Sequence, residues 1–584
     1  MPRLNLSKNA LLILEQRYLK RDKKGKVIEK PEELFRRVAK NLAQSDANYK
    51  HSKNNVKRTE QEFYNLMASL DFLPNSPTLL NAGRKLQQLA ACFVLPIEDD
   101  ISSIFKTLHD SALIHRTGAG TGFNFSKLRP KGDIIESAGF TSGPVSFMKI
   151  FDAATEQIKL GGNLRGANMG ILNIDHPDIE EFIRVKSREN VLTNFNVSVA
   201  ITGNFMEAVN NNKDYSLVSP RTKKNVKKES ARRIFGLICE QAWLNGDPGV
   251  IFIDRINEFN PTPKLGVIES TDSCGEQPLL PYESCNLGSV NLSNMVKNKR
   301  IDFEKLKKTI HTAIHFLDNV IDMCSYPLEE NRKIVDKNRK IGLGIMGFAD
   351  MLVKLDIAYD SEEGLKKAEE VMKFISKEAD KASAELVEKR GAFPSWAISI
   401  YNDKSKGERL RNATRTTIAP TGTISIIADV SSGIEPLFAL SYSRRTLEGK
   451  TLVYFDKNLK RALMENRLYN DEIIERITRE GSIKNIEEIP EEIRKIFVVG
   501  SDIAPEWHVR MQAAFQKYVD NGISKTVTLP KDATVEDVEK IFLMAFELGC
   551  KGISVYRYGS REGQVIYLSS RRDEQITLSN FLKK

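Results

Sequence analysis

Thr271-Asp272-Ser273-Cys274-Gly275-Glu276-Gln277-Pro278-Leu279-Leu280-Pro281-Tyr282-Glu283-Ser284-Cys285-Asn286-Leu287-Gly288-Ser289-Val290-Asn291-Leu292 is the stretch on which the reading of this chain turns. Cys274 and Glu276 stand two apart, so on extended backbone both side chains point to one side, where a thiol and a carboxylate can share a substrate. Cys285 follows across a turn made by Pro278 and Pro281, and Cys92 opens a separate apolar run, Cys92-Phe93-Val94-Leu95. Cys274 and Cys285 lack the Cys-x-x-Cys partner of a structural zinc site, so metal binding is not the expected reading of this stretch. Inert burial is the ordinary fate of an isolated cysteine. Cys239, Cys324 and Cys550, in apolar helical surroundings, are read that way.

Working outward, residues from about 7 to 70 show apolar positions at helical period, among them Leu11, Leu12 and Leu14, then Phe35, Val38 and Leu42. Leu73-Pro74-Asn75-Ser76-Pro77-Thr78-Leu79-Leu80-Asn81-Ala82-Gly83 is rich in breakers and predicts a loop with a defined path. Beyond Ala91, short apolar runs such as Val197–Ile201 and Thr416–Ile418 alternate with helical stretches such as Phe303–Cys324 and Gly364–Arg390, which argues for an α/β architecture. No repeat or low-complexity linker interrupts residues 72–565, so they are expected to form one domain after a helical region 1–71. Residues 566–584 are read as a polar surface helix or tail.

Composition narrows the function classes. The 584 residues contain no apolar run of membrane-spanning length, and the N-terminus has no secretory signal. Six irregularly spaced cysteines do not form a secreted disulfide framework, so a cytoplasmic protein with reduced thiols is expected. The net charge of +10 is compatible with anionic ligands. Its densest run, Arg221–Lys228, has no interleaved aromatics and is read as a solvated loop, so neither nucleic acid nor membrane is an expected partner.

The cysteine stretch closely resembles the radical-cysteine loop of ribonucleotide reductases, above all the adenosylcobalamin-dependent class II enzymes. Further matches fall in family order: Pro74–Leu79, Ala91–Pro96, Gly161–Gly170, Ala419-Pro420-Thr421-Gly422-Thr423-Ile424-Ser425 and Ser432–Pro436. The resemblance implies a ten-stranded α/β barrel, with Cys274 at the tip of a finger loop threaded through it, and a helical N-terminal region. It implies that Cys274 holds a thiyl radical that takes the 3′ hydrogen of the ribose, and that Glu276 takes the 3′-hydroxyl proton. Cys92 and Cys285 would be the dithiol, one protonating the departing 2′-hydroxyl and both ending as a disulfide.

Two positions depart from the pattern. Asp272 stands where the family carries Asn, and Ser273 where it carries Pro. An ionised Asp272 beside Glu276 would place two like charges together, so one is expected to hold a proton at a raised pKa. The chain also has no cysteine after Cys550, whereas many relatives end in a Cys-x-x-Cys tail. A thioredoxin-like protein or a small-molecule thiol is the reductant then expected.

By the same resemblance, Pro420, Thr421, Gly422, Thr423, Ile424 and Ser425 form a diphosphate loop of small residues, hydroxyls and backbone N–H groups, faced by Ser76, with Ala91 also at the substrate. Asp99, Arg129, Gly161, Gly162 and Arg165 match positions that serve a deoxynucleotide effector. Gly118–Gly122 lacks dinucleotide-fingerprint spacing and matches a barrel strand. His311 and His315, four apart on a helix, are read as structural rather than metal-binding. Class I subunits carry adjacent tyrosines near the C-terminus, a pair that Tyr556-Arg557-Tyr558 breaks, and no glycyl-radical motif is present. Adenosylcobalamin is therefore the expected radical source. A homodimer reducing ribonucleoside di- or triphosphates is expected, without an N-terminal ATP-cone. The alternatives are a class I-type α subunit served by a separate radical-generating subunit, or a catalytically impaired nucleotide-binding homologue.

Overall fold

The computed structural model describes residues 4–50, 55–135, 139–160, 164–188, 190–402, 407–445, 451–561 and 566–567. One ten-stranded sheet organises the molecule. Its strands are β1 (Phe72–Pro74), β2 (Cys92–Val94), β3 (Gly120–Asn124), β4 (Asn168–Asn173), β5 (Phe195–Ile201), β6 (Gly249–Phe252), β7 (Ser284–Asn291), β8 (Ile341–Met346), β9 (Thr526–Leu529) and β10 (Gly552–Arg557). β2 through β6 pair in parallel in chain order. β6 meets β10 antiparallel, and β10 runs parallel to β9. On the other side β7 meets β2 antiparallel and β8 in parallel.

Closure comes from a segment too irregular to read as a strand. Thr416 bridges to Leu343 of β8, and Ile418 bridges to Ile523 just before β9, both in parallel sense. Counting that segment in place of β1, which only extends the edge of β7, the wall consists of two parallel five-stranded halves joined by antiparallel seams. The ten-stranded barrel expected from the sequence is therefore present. Helices Ile101–His115, Pro144–Gln157, Ala231–Asn245 and Phe303–Met323 lie between successive strands and bury their apolar faces on the wall, so the strands are covered outside and filled inside.

The N-terminal region is helical, with helices Lys8–Ile13, Pro31–Ala43 and Val56–Ala68. It is tied to the barrel layer by a buried ionic network. Arg390 donates to Asp46 Oδ1 (2.5 Å), Asp318 Oδ2 (2.8 Å) and Asn319 Oδ1 (2.6 Å). Arg339 and Arg411 also reach Asp318, and these cations hold its carboxyl far below the usual range against the cost of burial. His315 meets Asp46 at 2.9 Å, whereas His311 meets Glu378 and Glu385, so the two histidines serve different carboxylates and do not converge on one point.

Two local expectations change. The breaker-rich run at 73–83 is a strand end followed by a helix, Ser76–Asn81. Asn75 accepts from Thr78 N as the helix cap, and Pro77 sits in the first turn where its missing N–H costs nothing. The basic run 221–228 belongs to the hairpin Asp214–Val218/Asn225–Ser230. Of the expected tail, only Ile566–Tyr567 is described. No helix among the described residues is long and apolar enough to cross a membrane.

Candidate active site

A short hairpin, Ser270–Thr271 against Pro278–Leu279, carries residues 272–277 into the barrel. Its tip turns at Gly275, whose φ of +86° suits only a residue without Cβ. The wall makes room with glycines. A Cβ on Gly122 of β3 would lie 1.7 Å from Thr271 O, and one on Gly522 would lie 2.7 Å from Gly275 O. The finger is then pinned by hydrogen bonds. Thr417 Oγ1 and Gly522 N both donate to Glu276 O at 2.9 Å, and Asn196 Nδ2 donates to Ser273 O at 2.7 Å.

This seating brings four of the sequence-derived residues together. Cys92 and Cys285 face each other across the β2/β7 seam as register partners. Cross-strand neighbours have Cβ atoms about 4.5–5.5 Å apart, close to the span of a disulfide. Cys92 Sγ donates to Asp272 Oδ2 at 3.1 Å, and Gln277 N donates to Asp272 Oδ1 at 3.0 Å. Ligand atoms of Cys92, Asp272 and Glu276 all lie within 4.8 Å of one another. Cys274 has free surface, but that surface faces a cavity of about 360 Å³ inside the barrel, lined also by Asn196, Ser198, Pro420, Ser554 and Tyr556.

Electrostatics follow from this enclosure. Burial, then the charge of Asp272, raises the Glu276 carboxyl well above its ordinary range, and burial raises Asp272 as well. Two carboxyls this close in a dry site share a proton rather than both ionise. Burial also pushes the thiols of Cys92, Cys274 and Cys285 up, so all three are held as S–H, the form that can give a proton or a hydrogen atom. The two facing cysteines differ in their surroundings. Cys92 touches a carboxyl, whereas Cys285 lies beside Lys340, whose ammonium is held by Glu283 at 2.6 Å and opposes the effect of burial on the thiol.

Ala419 packs against the cysteine pair and starts the loop 420–425, which leads into the short helix Ile424–Ala428. Thr421, at φ +43°, is fixed by Gly433 N donating to its hydroxyl at 2.9 Å. Ser76 reaches the same place through two residues that the sequence reading missed. Tyr18 Oη and Ser76 Oγ are 2.7 Å apart, and Arg17 Nη1 donates to Thr423 Oγ1 at 3.4 Å. Nothing in their local sequence separates Arg17 and Tyr18 from an ordinary amphipathic helix. Ala91 is adjacent as well, its N–H donating to Cys285 O.

Away from the cavity, Arg129 clasps Asp99 through Nε (2.8 Å) and through its own N–H (3.0 Å). Gly161 and Gly162 lie outside the described residues, and Arg165 is described in its backbone alone, within the hairpin Lys159–Leu160/Leu164–Arg165.

Comparison with known proteins agrees with the geometry. The family described as "Ribonucleotide reductase, barrel domain" matches residues 90–556, and "Ribonucleotide reductase, all-alpha domain" matches residues 4–87. A protein of Thermoplasma acidophilum named vitamin B12-dependent ribonucleoside-diphosphate reductase is 48% identical over 619 residues, covering 96% of this chain and 80% of that protein. One of the same name from Mycobacterium tuberculosis is 46% identical over 565 residues, covering 96% and 81%. The class Id ribonucleotide reductase α subunit of Actinobacillus ureae has the same fold, with a TM-score of 0.78 at 24% identity over 96% of this chain and 98% of that one.

Proposed function

The chain belongs to the ribonucleotide reductase family as a catalytic subunit, and from that premise we propose that it reduces ribonucleotides by the concerted action of Cys274, Glu276, Cys92 and Cys285, with Asp272 modulating the last three. The observation that carries this reading is the convergence of the finger on the β2/β7 seam: a thiol facing the cavity, with a base and a facing pair of thiols beside it.

The steps divide among the residues by their surroundings. Cys274, as a thiyl, removes the 3′ hydrogen of the ribose. Glu276, in its unprotonated form, takes the 3′-hydroxyl proton. Cys92 protonates the departing 2′-hydroxyl, which leaves as water, and Asp272 stabilises the proton it shares with that thiol. Cys285 supplies the hydrogen atom that replaces the hydroxyl at C2′, the two sulfurs join, and the surplus electron of the new S–S bond passes back to the oxidised C3′. The 3′ proton and hydrogen then return from Glu276 and Cys274, so one dithiol is consumed for each deoxynucleotide formed. The loop 420–425 and Ser76, closed over by Tyr18 and Arg17, would hold the substrate phosphates.

The Thermoplasma acidophilum and Mycobacterium tuberculosis relatives are named as vitamin B12-dependent, and adenosylcobalamin is the radical source we infer from that. The residues present leave room for it: Gly246, Gly249, Gly552 and Ser554 bring little bulk into the lining of the cavity at Cys274, which also holds Tyr556, Lys525 and Arg561. Tyr556 lines this cavity whereas Tyr558 is partly exposed elsewhere, so no adjacent tyrosine pair leads to Cys274. Bound there, the cofactor would supply an organic radical by Co–C homolysis. An external dithiol, protein or small molecule, would reset the disulfide.

A homodimer with effector control at Asp99 and Arg129 completes the proposal. Ile101 and Phe105 on one helix, Ile150 on the next, and Ile134 and Phe140 on the hairpin beside Arg129 are exposed apolar residues on neighbouring elements. We read these exposed apolar side chains as the material of the subunit contact. The mechanism is tested by one turnover without reductant followed by peptide mapping. A disulfide between Cys92 and Cys285 is expected; turnover that leaves both thiols free would refute the assignment.

A further inference from the structure

We propose that Cys92, Asp272 and Glu276 form a binding site for one thiophilic divalent cation, Zn²⁺ by its ligand chemistry, and that the bound ion blocks the chain and shields its dithiol. One sulfur and two carboxylate oxygens lie within 4.8 Å of one another, on three buried side chains. Cys92 Sγ is already 3.1 Å from Asp272 Oδ2. Glu276 Oε2 is buried with no donor from the rest of the protein beside it, so beyond the proton shared with Asp272 this carboxyl has an oxygen left for a cation. Zn²⁺ takes thiolate at about 2.3 Å and carboxylate oxygen at about 2.0–2.2 Å, so ligand atoms around one ion sit roughly 3.3–3.6 Å apart. The cluster, spread over no more than 4.8 Å, has to contract by roughly 1 Å to reach that spacing. Three protein ligands leave the fourth position open, the arrangement of an accessible rather than a closed structural site.

Asp272 decides the matter. With Asn, the residue usual in the family, the set would be one thiol, one carboxylate and a neutral amide. With Asp it has two carboxylates and a thiol in a site too dry to leave two negative charges uncompensated. Binding is an exchange: the ion enters and protons from Cys92 and the carboxyl pair leave to solvent, with no change of oxidation state. A zinc-bound Cys92 can neither protonate a leaving group nor join Cys285, so ion and turnover exclude each other. The inference uses residues of the proposed active site but depends on their spacing, ligand type and burial rather than on the reductase chemistry.

The test is a titration of the reduced, metal-free chain with Co²⁺ in the absence of corrinoid, followed by displacement with Zn²⁺ and competition against a chromophoric chelator. One equivalent should bind with a thiolate-to-cobalt charge-transfer band that Zn²⁺ abolishes. Cys92→Ser should remove the band. Asp272→Asn should weaken binding by about tenfold or more, since loss of even an outer-sphere partner costs roughly that much. Cys285→Ser, whose sulfur contacts Asn286 O and Lys340 O instead, should bind as the wild type does. Circular dichroism checks that each variant is folded. No charge-transfer band, a band that survives Cys92→Ser, or equal affinity in Asp272→Asn would overturn the proposal. No activity is read, so failure of the reductase mechanism would leave this result standing.

Discussion

Gly122→Ala asks whether the seat of the finger in the wall controls the chemistry. An ideal Cβ on Gly122 falls 1.7 Å from Thr271 O and 2.8 Å from its carbonyl carbon. Both are backbone atoms, so no side-chain rotation relieves the overlap, and finger and wall must part by about 1 Å or more, a misplacement that costs on the order of 100-fold in rate. Thr271 immediately precedes Asp272, Cys274 and Glu276, so the shift is passed directly to the reacting groups. Overpacking adds a stability cost of about 1–3 kcal/mol, which a barrel of this size tolerates. The variant is therefore expected to fold, to melt a few degrees earlier and to turn over about 100-fold more slowly, at a changed rate of Cys274 alkylation. Gly120→Ala is the internal comparison. Its Cβ meets the Ser273 hydroxyl at 2.6 Å, a movable atom, and should cost less. A folded Gly122→Ala protein turning over at close to the wild-type rate would refute the reasoning.

Three more outcomes follow from the same structure. Arg390→Met leaves Asp46 and Asp318 buried and undercompensated, and should lower unfolding free energy by about 3–5 kcal/mol, with Asp46→Asn recovering part of the loss; an unchanged denaturation midpoint would count against the network. Glu276 acts as a base only when unprotonated, and burial first, then Asp272, raises its pKa. Asp272→Asn removes the second cause, so the acid limb of kcat/KM should move to lower pH, and a limb that stays or moves up would contradict the shared proton. Arg129→Ala breaks the clasp on Asp99 and should weaken deoxynucleotide binding measured by calorimetry while leaving effector-free turnover intact; unchanged affinity would remove this pair from the effector site.

The chemistry was legible through the family resemblance more than through the residues alone. Cys274 and Glu276 can be read as a thiol and a carboxylate on one face, whereas the roles of Cys92, Cys285 and Asp272 are what the resemblance implies. The ten-stranded wall came from the family resemblance, since β2 and β1 are only three residues long and carry no period of their own. Closure through Thr416 and Ile418 was visible only as an apolar fragment, because isolated bridges have no repeating pattern. Pairings between residues far apart in sequence leave still less trace. Asp46 and Arg390 are 344 positions apart, and Arg17 and Thr423 are 406 apart. The helix at 76–81 was hidden by Pro77 and by Pro74 just before it; proline favours loops in general, but Pro77 suits a first turn capped by Asn75.

The most direct measurement is anaerobic turnover of a ribonucleotide with dithiothreitol and a deoxynucleotide effector, with and without adenosylcobalamin, for the wild type and for Cys274→Ser. The account predicts deoxynucleotide formation that requires the cofactor and vanishes in the variant. Product that persists in Cys274→Ser, or a wild-type chain that binds substrate and cofactor yet forms no product, would contradict it.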